Sequence, residues 1–256
     1  EKIGYDVRWN RIVNARNCGT PQSRPRFFQF GMRLDLINKN TDSPFNILDK
    51  QILPEFLKNK GITRSPNCRN AISDLEVRGR KLKNWNGYQK GFSELPYSGP
   101  RTQFQKYMHR GMNGYKPNSR RLARHNEKTW KRFDYILKNA NRGKSIDETI
   151  RDKLSKMGLE TRKRTIVPLD PNVVAPTIVT LPDDYIHYSE PRILTVRECA
   201  RLQTFPDWFA FYGKYTTGGP RRKDECPRYT QVGNAVPPFV AEALGLSILK
   251  CAERGA

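Results

Sequence analysis

Two arginines and a glutamine, each two positions apart, are the first residues in this chain whose types and spacing could form a binding or catalytic site. They are Gln22, Arg24 and Arg26, in a loop that leads into a predicted strand. Alternate residues at a strand entrance point the same way, so Arg24 and Arg26 can project together into one cleft. A guanidinium donates two parallel hydrogen bonds, which suits a carbonyl oxygen or a phosphate. Taken alone, this pattern is also typical of a solvated strand edge.

A second segment of interest covers residues 192–207 and reads R-I-L-T-V-R-E-C-A-R-L-Q-T-F-P-D. Thr195 is followed three positions later by Glu198, a capping box that predicts the start of a helix. Arg197 and Arg201 lie on that helix. We interpret Arg197, Glu198 and Arg201 as structural residues that support the surrounding segment.

A third segment covers residues 229–238 and reads Y-T-Q-V-G-N-A-V-P-P. Its Gly-Asn pair predicts a tight turn, and the two prolines predict a rigid entry to a terminal helix. The turn contains Asn234 and Val236, and by its residue types it could form the edge of a ligand site. The residue types alone do not identify the ligand.

The cysteines and histidines follow no pattern for metal binding. The five cysteines lie far apart without C-x-x-C spacing, and the three histidines have no ligand spacing. This usage predicts reduced thiols in a cytosol and no metal site. The sequence also has no apolar signal core at its start and no run of about 18 apolar residues, so we expect neither secretion nor a membrane span.

The composition favours a polyanion as partner. The chain has 256 residues, a formal net charge of +22 and a pI near 10.0. Residues 78–132 contain 15 basic and only two acidic side chains, interleaved with eight aromatic ones. Cations neutralise phosphates and aromatic rings stack on exposed bases, so this basic window predicts a contact with nucleic acid. We take Arg120, Arg121 and Arg124 as its representative phosphate contacts, although most of the rings have the pattern of a local core.

Apolar periodicity predicts a mixture of strands and helices with long polar loops. Residues 5–13 and 26–32 are predicted strands, the second of them buried. Residues 166–180 are β-branched and rich in proline, which predicts short edge strands. The predicted helices cover residues 49–58, 65–75, 126–137, 146–157, 195–203 and 239–251.

In this order and spacing, the three segments resemble the last motifs of the DNA (cytosine-5)-methyltransferase family. The Pro-Gln-x-Arg-x-Arg segment at residues 21–26 resembles the eighth motif, residues 192–207 resemble the ninth, and Q-V-G-N-A-V-P-P at residues 231–238 resembles the tenth. Similarity is strong over about the first 33 and the last 80 residues. The stretch between them resembles the variable target-recognition region of the family.

The resemblance implies an α/β fold, the C-terminal part of a class I (Rossmann-like) methyltransferase that depends on S-adenosylmethionine, with a smaller mixed α+β target-recognition lobe. Residues 1–50 and 228–256 would supply late strands and the terminal helix of the catalytic lobe. Residues 51–227, including the ninth motif, would form the recognition lobe. Double-stranded DNA would lie between the lobes, with the target cytosine flipped out of the helix.

The resemblance also assigns roles residue by residue. Arg24 and Arg26 would contact the flipped base and its phosphates and stabilise charge on it. Asn234 and Val236 would edge the pocket for S-adenosylmethionine, and Gln22 would join the DNA contacts.

Three motifs of the family do not occur in this sequence. They are F-x-G-x-G, which binds the methyl donor, Pro-Cys-Gln, which supplies the nucleophile, and Glu-Asn-Val, which contacts the base. We therefore expect this chain to be the C-terminal half of the enzyme, either one subunit of a heterodimer or a fragment of a longer protein. In a heterodimer, the second chain would carry the first six motifs. We expect the C-terminal half to be inactive alone. The expected setting is the cytoplasm of a bacterium or phage-infected cell, at the nucleoid, in restriction–modification or a related role. A non-catalytic DNA-binding subunit and an RNA methyltransferase remain alternatives.

Overall fold

The computed structural model describes residues 4–38, 41–77, 79–87, 90–216 and 224–255. The described strands pair in three two-stranded sheets. The strands are β1 (Tyr5–Asn14), β2 (Pro25–Arg33), β3 (Lys83–Asn84), β4 (Ser93–Glu94), β5 (Val167–Pro168) and β6 (Tyr185–Ile186). The helices are α1 (Pro44–Ile47), α2 (Leu53–Asn59), α3 (Cys68–Ile72), α4 (Gln103–Met108), α5 (Glu127–Asn139), α6 (Glu148–Lys156), α7 (Val196–Leu202), α8 (Arg228–Asn234) and α9 (Pro238–Gly255).

The long sheet is an antiparallel hairpin of β1 and β2, in which Val13 lies opposite Arg26. Both strands were predicted, but the expectation that the second is buried is wrong. Met32 is the only fully buried residue of β2. Ile12 and Phe27 lie directly opposite each other, and each is 64% exposed. One face of this two-stranded sheet packs on the core, and no layer of the described residues covers the other face.

Most predicted helices are present, with shifted boundaries. The predicted helix at residues 49–58 is part of a longer helical run in which α1, a π-helical segment (Leu48–Ile52) and α2 follow each other directly. The helix predicted from residue 65 begins at Cys68, because Asn67 forms the capping box with Asn70. The helix of the ninth motif, α7, begins as predicted, and the side chain of Thr195 accepts a hydrogen bond from the backbone N–H of Glu198.

The segment of residues 166–180 contains less strand than predicted. Only Val167–Pro168 pairs regularly, in parallel with β6. Ala175 instead forms a bridge with the loop before β2: its N–H donates to the Pro21 carbonyl at 3.0 Å, and its own carbonyl accepts from the Ser23 N–H at 2.8 Å. Prolines at 168, 171 and 176 cannot donate to a ladder, which accounts for the short pairing.

The apolar residues form one large core and smaller clusters. The large core includes Val13 of β1, Ile72 of α3, Leu202 of α7 and Phe239 of α9. A separate cluster lies between α5 and α6 and includes Phe133, Ile136, Ile150 and Leu154 at its centre. The division into a catalytic and a recognition lobe stays a prediction, since the large core takes side chains from both proposed parts.

Residues 228–253 are long and apolar enough to cross a membrane, by length and composition alone, although the sequence had predicted no such span. Phe239, Val240, Ala243 and Leu244 of this stretch pack in the large core. A core helix of a soluble protein passes the same test, so this single stretch is weak evidence for a membrane segment.

The packing of α8 depends on a glycine. A Cβ atom on Gly233 would lie 2.6 Å from the backbone of both Val179 and Thr180, which is too close for any side chain. At Gly245, on α9, a Cβ atom would meet no atom within 4 Å. The two positions therefore differ in packing although both are helical.

We expect Gly233→Ala to lower the free energy of unfolding by about 1–3 kcal/mol, because the backbone at Val179 must move. The matched change Gly245→Ala should raise it by up to about 1 kcal/mol, because alanine favours a helix. Chemical denaturation of the two variants and the wild type measures both effects. Equal stability of the two variants would contradict the close approach at Gly233.

Candidate nucleic-acid interface

The three motif segments meet in one buried hydrogen-bond network. Gln22 is fully buried. Its Nε2 donates to Oε1 of Gln203 at 3.0 Å, and its Oε1 accepts from the N–H of Ile178 at 2.6 Å. Nε2 of Gln203 in turn donates to the carbonyl of Val232 at 2.7 Å. These bonds join the loop before β2, the end of α7 and helix α8, segments that lie up to 210 residues apart in the sequence.

Arg24 extends this network. Its side chain is buried, and its two terminal nitrogens donate to the carbonyls of Ile178 at 2.7 Å and Gly233 at 2.8 Å. Burial, together with the charge of Arg26, lowers the pKa of Arg24 to about 10. Its Nε is buried and has no acceptor among the described residues. One donor of this buried guanidinium is therefore unsatisfied within the described residues.

Arg26 is exposed, and among the described residues its guanidinium donates only to the neighbouring carbonyl of Pro25, at 2.7 Å. The expectation that Arg24 and Arg26 project together is therefore wrong. Arg24 precedes β2, so strand alternation does not apply to it. The burial of Gln22 likewise corrects the expectation that its amide contacts DNA. Of the three residues, Arg26 alone offers its side chain to the surface.

Arg201 on α7 is buried among carboxylates. Its guanidinium donates to Asp207 at 2.5 and 2.6 Å and to Asp74 at 3.1 and 3.2 Å. Burial alone would lower the pKa of Arg201, but the charges of Asp74 and Asp207 outweigh it and raise that pKa. Two buried carboxylates thus offset the cost of removing this cation from water.

The neighbouring charged residues of α7 also bind the chain itself. Glu198 accepts from both terminal nitrogens of Arg192 at 2.8 Å and from the backbone N–H of Thr195 at 2.6 Å. Arg197 donates to the Asn118 side chain at 2.8 Å and to the carbonyl of Phe209 at 2.7 Å. Burial lowers the pKa of Arg197 to about 10. All three charged side chains of α7 therefore connect this helix to the loops around it.

A cleft runs past the end of α8. Its first part, about 560 Å³, is lined by Asn234 together with residues 180–183, Tyr215, Thr216, Glu225 and Pro227. A second part, about 320 Å³, shares Tyr215, Thr216 and Tyr229 with the first. Arg121, Arg124 and Lys214 lie in the lining of this second part. The cleft thus leads from the tenth motif toward the basic window.

Comparisons with known proteins cover the motif segments and nearly the whole chain. The family model for C-5 cytosine-specific DNA methylases matches residues 1–250. The chain belongs to this family. It is 31% identical over 250 residues to the type II methyltransferase M.DdeI of Desulfomicrobium norvegicum, covering 94% of the chain and 54% of the relative. It is 28% identical over 261 residues to M.MthTI of Methanothermobacter thermautotrophicus, covering 97% of the chain and 57% of the relative.

The match to M.AquIB of Picosynechococcus is shorter and closer, with 45% identity over 82 residues, 31% of the chain and 59% of the relative. Among solved structures, a protein described as a DNA modification methyltransferase of an Escherichia coli prophage superposes with a TM-score of 0.59 at 21% identity. That superposition covers 98% of this chain and 62% of the other, and it confirms the α/β methyltransferase fold. The chain spans about half the length of the curated relatives it matches over its whole length.

Within this methyltransferase family fold, Asn234 and Val236 of the tenth motif lie at the surface. Asn234 is exposed and lines the cleft, whereas Val236 is 50% exposed and does not line it. The predicted Gly-Asn turn is instead the last turn of α8, followed by the extended Ala235. An exposed amide and an exposed apolar side chain fit the edge of a cofactor site, and they do not enclose one. The described residues also contain no cluster of three His, Cys, Asp or Glu suited to a metal.

The basic window is only partly exposed. Its first residue, Arg78, lies outside the described residues. Arg120 is buried and donates to the carbonyls of Pro117, at 2.7 Å, and of Leu95, and lies 3.3 Å from Glu94. These contacts correct the expectation that Arg120 faces the phosphates of DNA.

Arg121 is also buried, and its guanidinium stacks 3.9 Å from the ring of Phe92 and 3.8 Å from that of Tyr215. Arg124 is exposed. The expected role of the triplet as exposed cations therefore holds for Arg124 alone. The sequence signal for the burial of Arg121 was the set of aromatic residues interleaved in this window, because such rings enclose a neighbouring guanidinium.

Some residues of the cleft were not predicted. Tyr215, Thr216 and Thr180 line it, although their types and spacing carry no signal. Ile178 was also missed, because it contributes only backbone groups to the network. Only the folding of loops beside α8 brings these residues together.

We expect Arg120→Gln to lower the free energy of unfolding by about 1–3 kcal/mol, because it leaves buried carbonyl groups without a donor. Arg124→Gln, four positions away and exposed, should change it by less than about 0.5 kcal/mol. Urea denaturation of both variants measures the difference. If both variants keep wild-type stability, the contacts of Arg120 do not hold the loop.

Proposed function

We propose that this chain is the recognition half of a DNA (cytosine-5)-methyltransferase. In this proposal it binds a specific duplex sequence and works with a second chain that carries the donor-binding and nucleophile motifs. The observation that supports it most is the buried network of Gln22, Arg24 and Gln203. Three motifs of one enzyme family, far apart in sequence, fold here into a single connected unit beside an open cleft.

The cysteines of this chain support a nucleophile on another chain. Cys18, Cys68, Cys199 and Cys251 are buried. Burial raises the pKa of Cys18 and of Cys68 to about 12, and it raises that of Cys199 further. A thiol becomes a strong nucleophile only as the thiolate, so these three thiols are inert at neutral pH.

The fifth cysteine, Cys226, is exposed beside the cleft, since Glu225 and Pro227 line it. It precedes a proline, whereas the nucleophile of the family follows one. Cys226→Ser in the assembled enzyme should therefore leave methyl transfer unchanged.

The exposed face of the hairpin is consistent with a missing partner. Ile12 and Phe27 form an apolar cross-strand pair that points away from the described core. Burying two such side chains contributes roughly 1.5–3 kcal/mol each to an association. The second chain of the proposed heterodimer would supply the layer that covers this face.

In the proposed reaction the target cytosine leaves the duplex, because its C5–C6 edge is inaccessible in the stack. A thiolate of the second chain adds to C6, C5 takes the methyl group, the proton on C5 leaves to a base, and the thiolate departs. S-Adenosylmethionine supplies the methyl group. Attack at C6 places negative charge toward O2 and N3 of the base.

Arg26 carries the main role of this chain in that step. Its exposed guanidinium would donate to the charged base or to the phosphate beside it. Arg24, two residues earlier, fixes α8 through its hydrogen bond to the carbonyl of Gly233. Asn234 and Val236 would contribute one edge of the donor pocket.

A DNA-binding subunit without a catalytic role is the main alternative, and the absent nucleophile favours it. The proposed enzyme would lie in the cytoplasm, at the nucleoid, and would serve restriction–modification, as the names of its type II relatives suggest. Assembly with a second chain separates these two functions.

We expect the purified 256-residue chain to transfer no tritium from labelled S-adenosylmethionine to duplex DNA. The complex that co-purifies with the tagged chain from its native host should transfer it, and mass spectrometry should find a Pro-Cys segment in the second chain. Transfer by the single chain would overturn the split enzyme. A co-purified complex that binds DNA without methylating it would favour the non-catalytic subunit.

We expect Arg26→Ala in the active complex to lower turnover about a hundredfold, because one donor to developing charge is worth about 3 kcal/mol. Binding to duplex DNA should change far less. Arg33→Ala is the matched control, since Arg33 is exposed at the far end of β2 and pairs with Asp35. Near-normal turnover of the Arg26 variant would make this residue a surface cation only.

A further inference from the structure

A cavity of about 600 Å³ lies in the proposed recognition region. Its apolar walls include Phe92, Leu122 and Trp130, and Arg124 lies at its margin. The volume falls within the range of small-ligand sites and would accommodate a nucleobase. Of the family motifs only Arg192, the first residue of the ninth, lines this cavity, and the proposed reaction does not use it.

The cavity continues the cleft described above. It shares Phe92, Ala123 and Arg124 with the part of the cleft that contains Lys214 and Tyr215. One continuous surface therefore leads from Asn234, at the tenth motif, to Trp130 on α5. A DNA duplex bound at one end of this surface would also lie near the other end.

The charge around the cavity suits nucleic acid. Leu82 and Gly91 line it, and their chain neighbours Lys81, Lys83 and Lys90 are exposed. Within the described part of the chain, none of these three lysines pairs with a carboxylate. Exposed, unpaired lysines in the segments that line the cavity favour a partner that brings phosphates with it.

Arg124 is the polar group best placed to read a base. Its guanidinium lies 5.7 Å from the ring centre of Phe92 and close to the backbone of Gly91. No carboxylate pairs with it among the described residues. Glu190 also lines the cavity, but its oxygens already accept from the Val77 N–H at 2.6 Å and from Nε of Arg192 at 2.7 Å. The cavity thus offers a donor fork beside aromatic walls.

We propose that this cavity is a specificity site for one base pair of the DNA target. Arg124 donates to a guanine, and the half-exposed Trp130 packs against the same nucleotide. Guanine presents two acceptors, O6 and N7, that match the arginine fork, and this is the commonest specific contact between proteins and DNA. The inference rests on the proposed function, since it requires that the chain bind a duplex sequence.

A second cavity provides matched controls. It is about 470 Å³ and includes Trp208, which is 61% exposed, and the exposed Arg110 in its lining. Residues 204–209 and α9 form much of that cavity, and it shares no lining residue with the cleft. Trp208→Ala and Arg110→Gln therefore make the same chemical changes as Trp130→Ala and Arg124→Gln at a different place.

The test selects bound sequences from a library of random duplexes with the full 256-residue chain. The wild type should enrich a sequence that contains a required guanine. Arg124→Gln should reduce the preference for that guanine roughly five- to 150-fold, and Trp130→Ala should relax the same position. Arg124→Lys keeps the charge and can still donate to guanine but loses the planar fork, so it should weaken the guanine preference less than Arg124→Gln does, while the salt dependence of binding stays unchanged. The two control variants should enrich the wild-type sequence.

The outcomes separate the inference from the function on which it rests. If the wild type selects a sequence and the Arg124 and Trp130 variants select the same one, the specificity site is wrong while DNA recognition stands. If Arg124→Gln keeps the guanine and only flattens the salt dependence of binding, the residue is a phosphate contact and the inference also fails. If the wild type enriches no sequence, the proposed recognition function fails and the inference fails with it. Thermal denaturation of each variant confirms that the fold is retained, as expected for exposed side chains.

Discussion

The buried contacts of Gln22 and Arg24 are the constraint on which this structure depends. Gln22 bonds to Gln203 and Ile178, and Arg24 bonds to the carbonyls of Ile178 and Gly233. Each partner lies on a different segment, so these two side chains hold the hairpin, α7 and α8 in one arrangement. A buried guanidinium that lacked its carbonyl partners would cost several kcal/mol, so the segments are fixed together. The cleft lies beside α8 and takes its shape from this junction.

Helix α7 is likewise held by buried polar contacts, which connect it to the basic part of the chain. Arg201 lies between Asp74 and Asp207, and Arg197 bonds to Asn118 and to the loop after α7. The arginines Arg197 and Arg201 of this family motif therefore bond to loops of their own chain. The cations left for a polyanion are the exposed ones at the margins, such as Arg124. Net charge attracts nucleic acid, whereas burial decides which charges can touch it.

The family and most of the elements could be predicted from the sequence. Motif spacing gave the family, and the capping pair Thr195–Glu198 gave the start of α7, because such signals are local. The prediction failed where an element depends on what covers it. The strand at β2 has the composition of a buried strand, but its outer face has no layer in the described residues. The residues at 166–180 favour strands by type, yet their prolines and the neighbouring loop at residue 22 limit the pairing.

The sequence by itself determined which residues belong together chemically: the Gln-x-Arg-x-Arg segment, the capped helix and the Gly-Asn segment. Only the tertiary structure decided what each residue does there. Arg24 and Arg26 look alike in sequence, but Arg24 is buried and Arg26 is exposed. Likewise, Arg121 is buried and Arg124 is exposed. The reason is that burial depends on contacts between distant segments, such as Ile178 and Gly233 around Arg24, and no local pattern of residue types records those contacts.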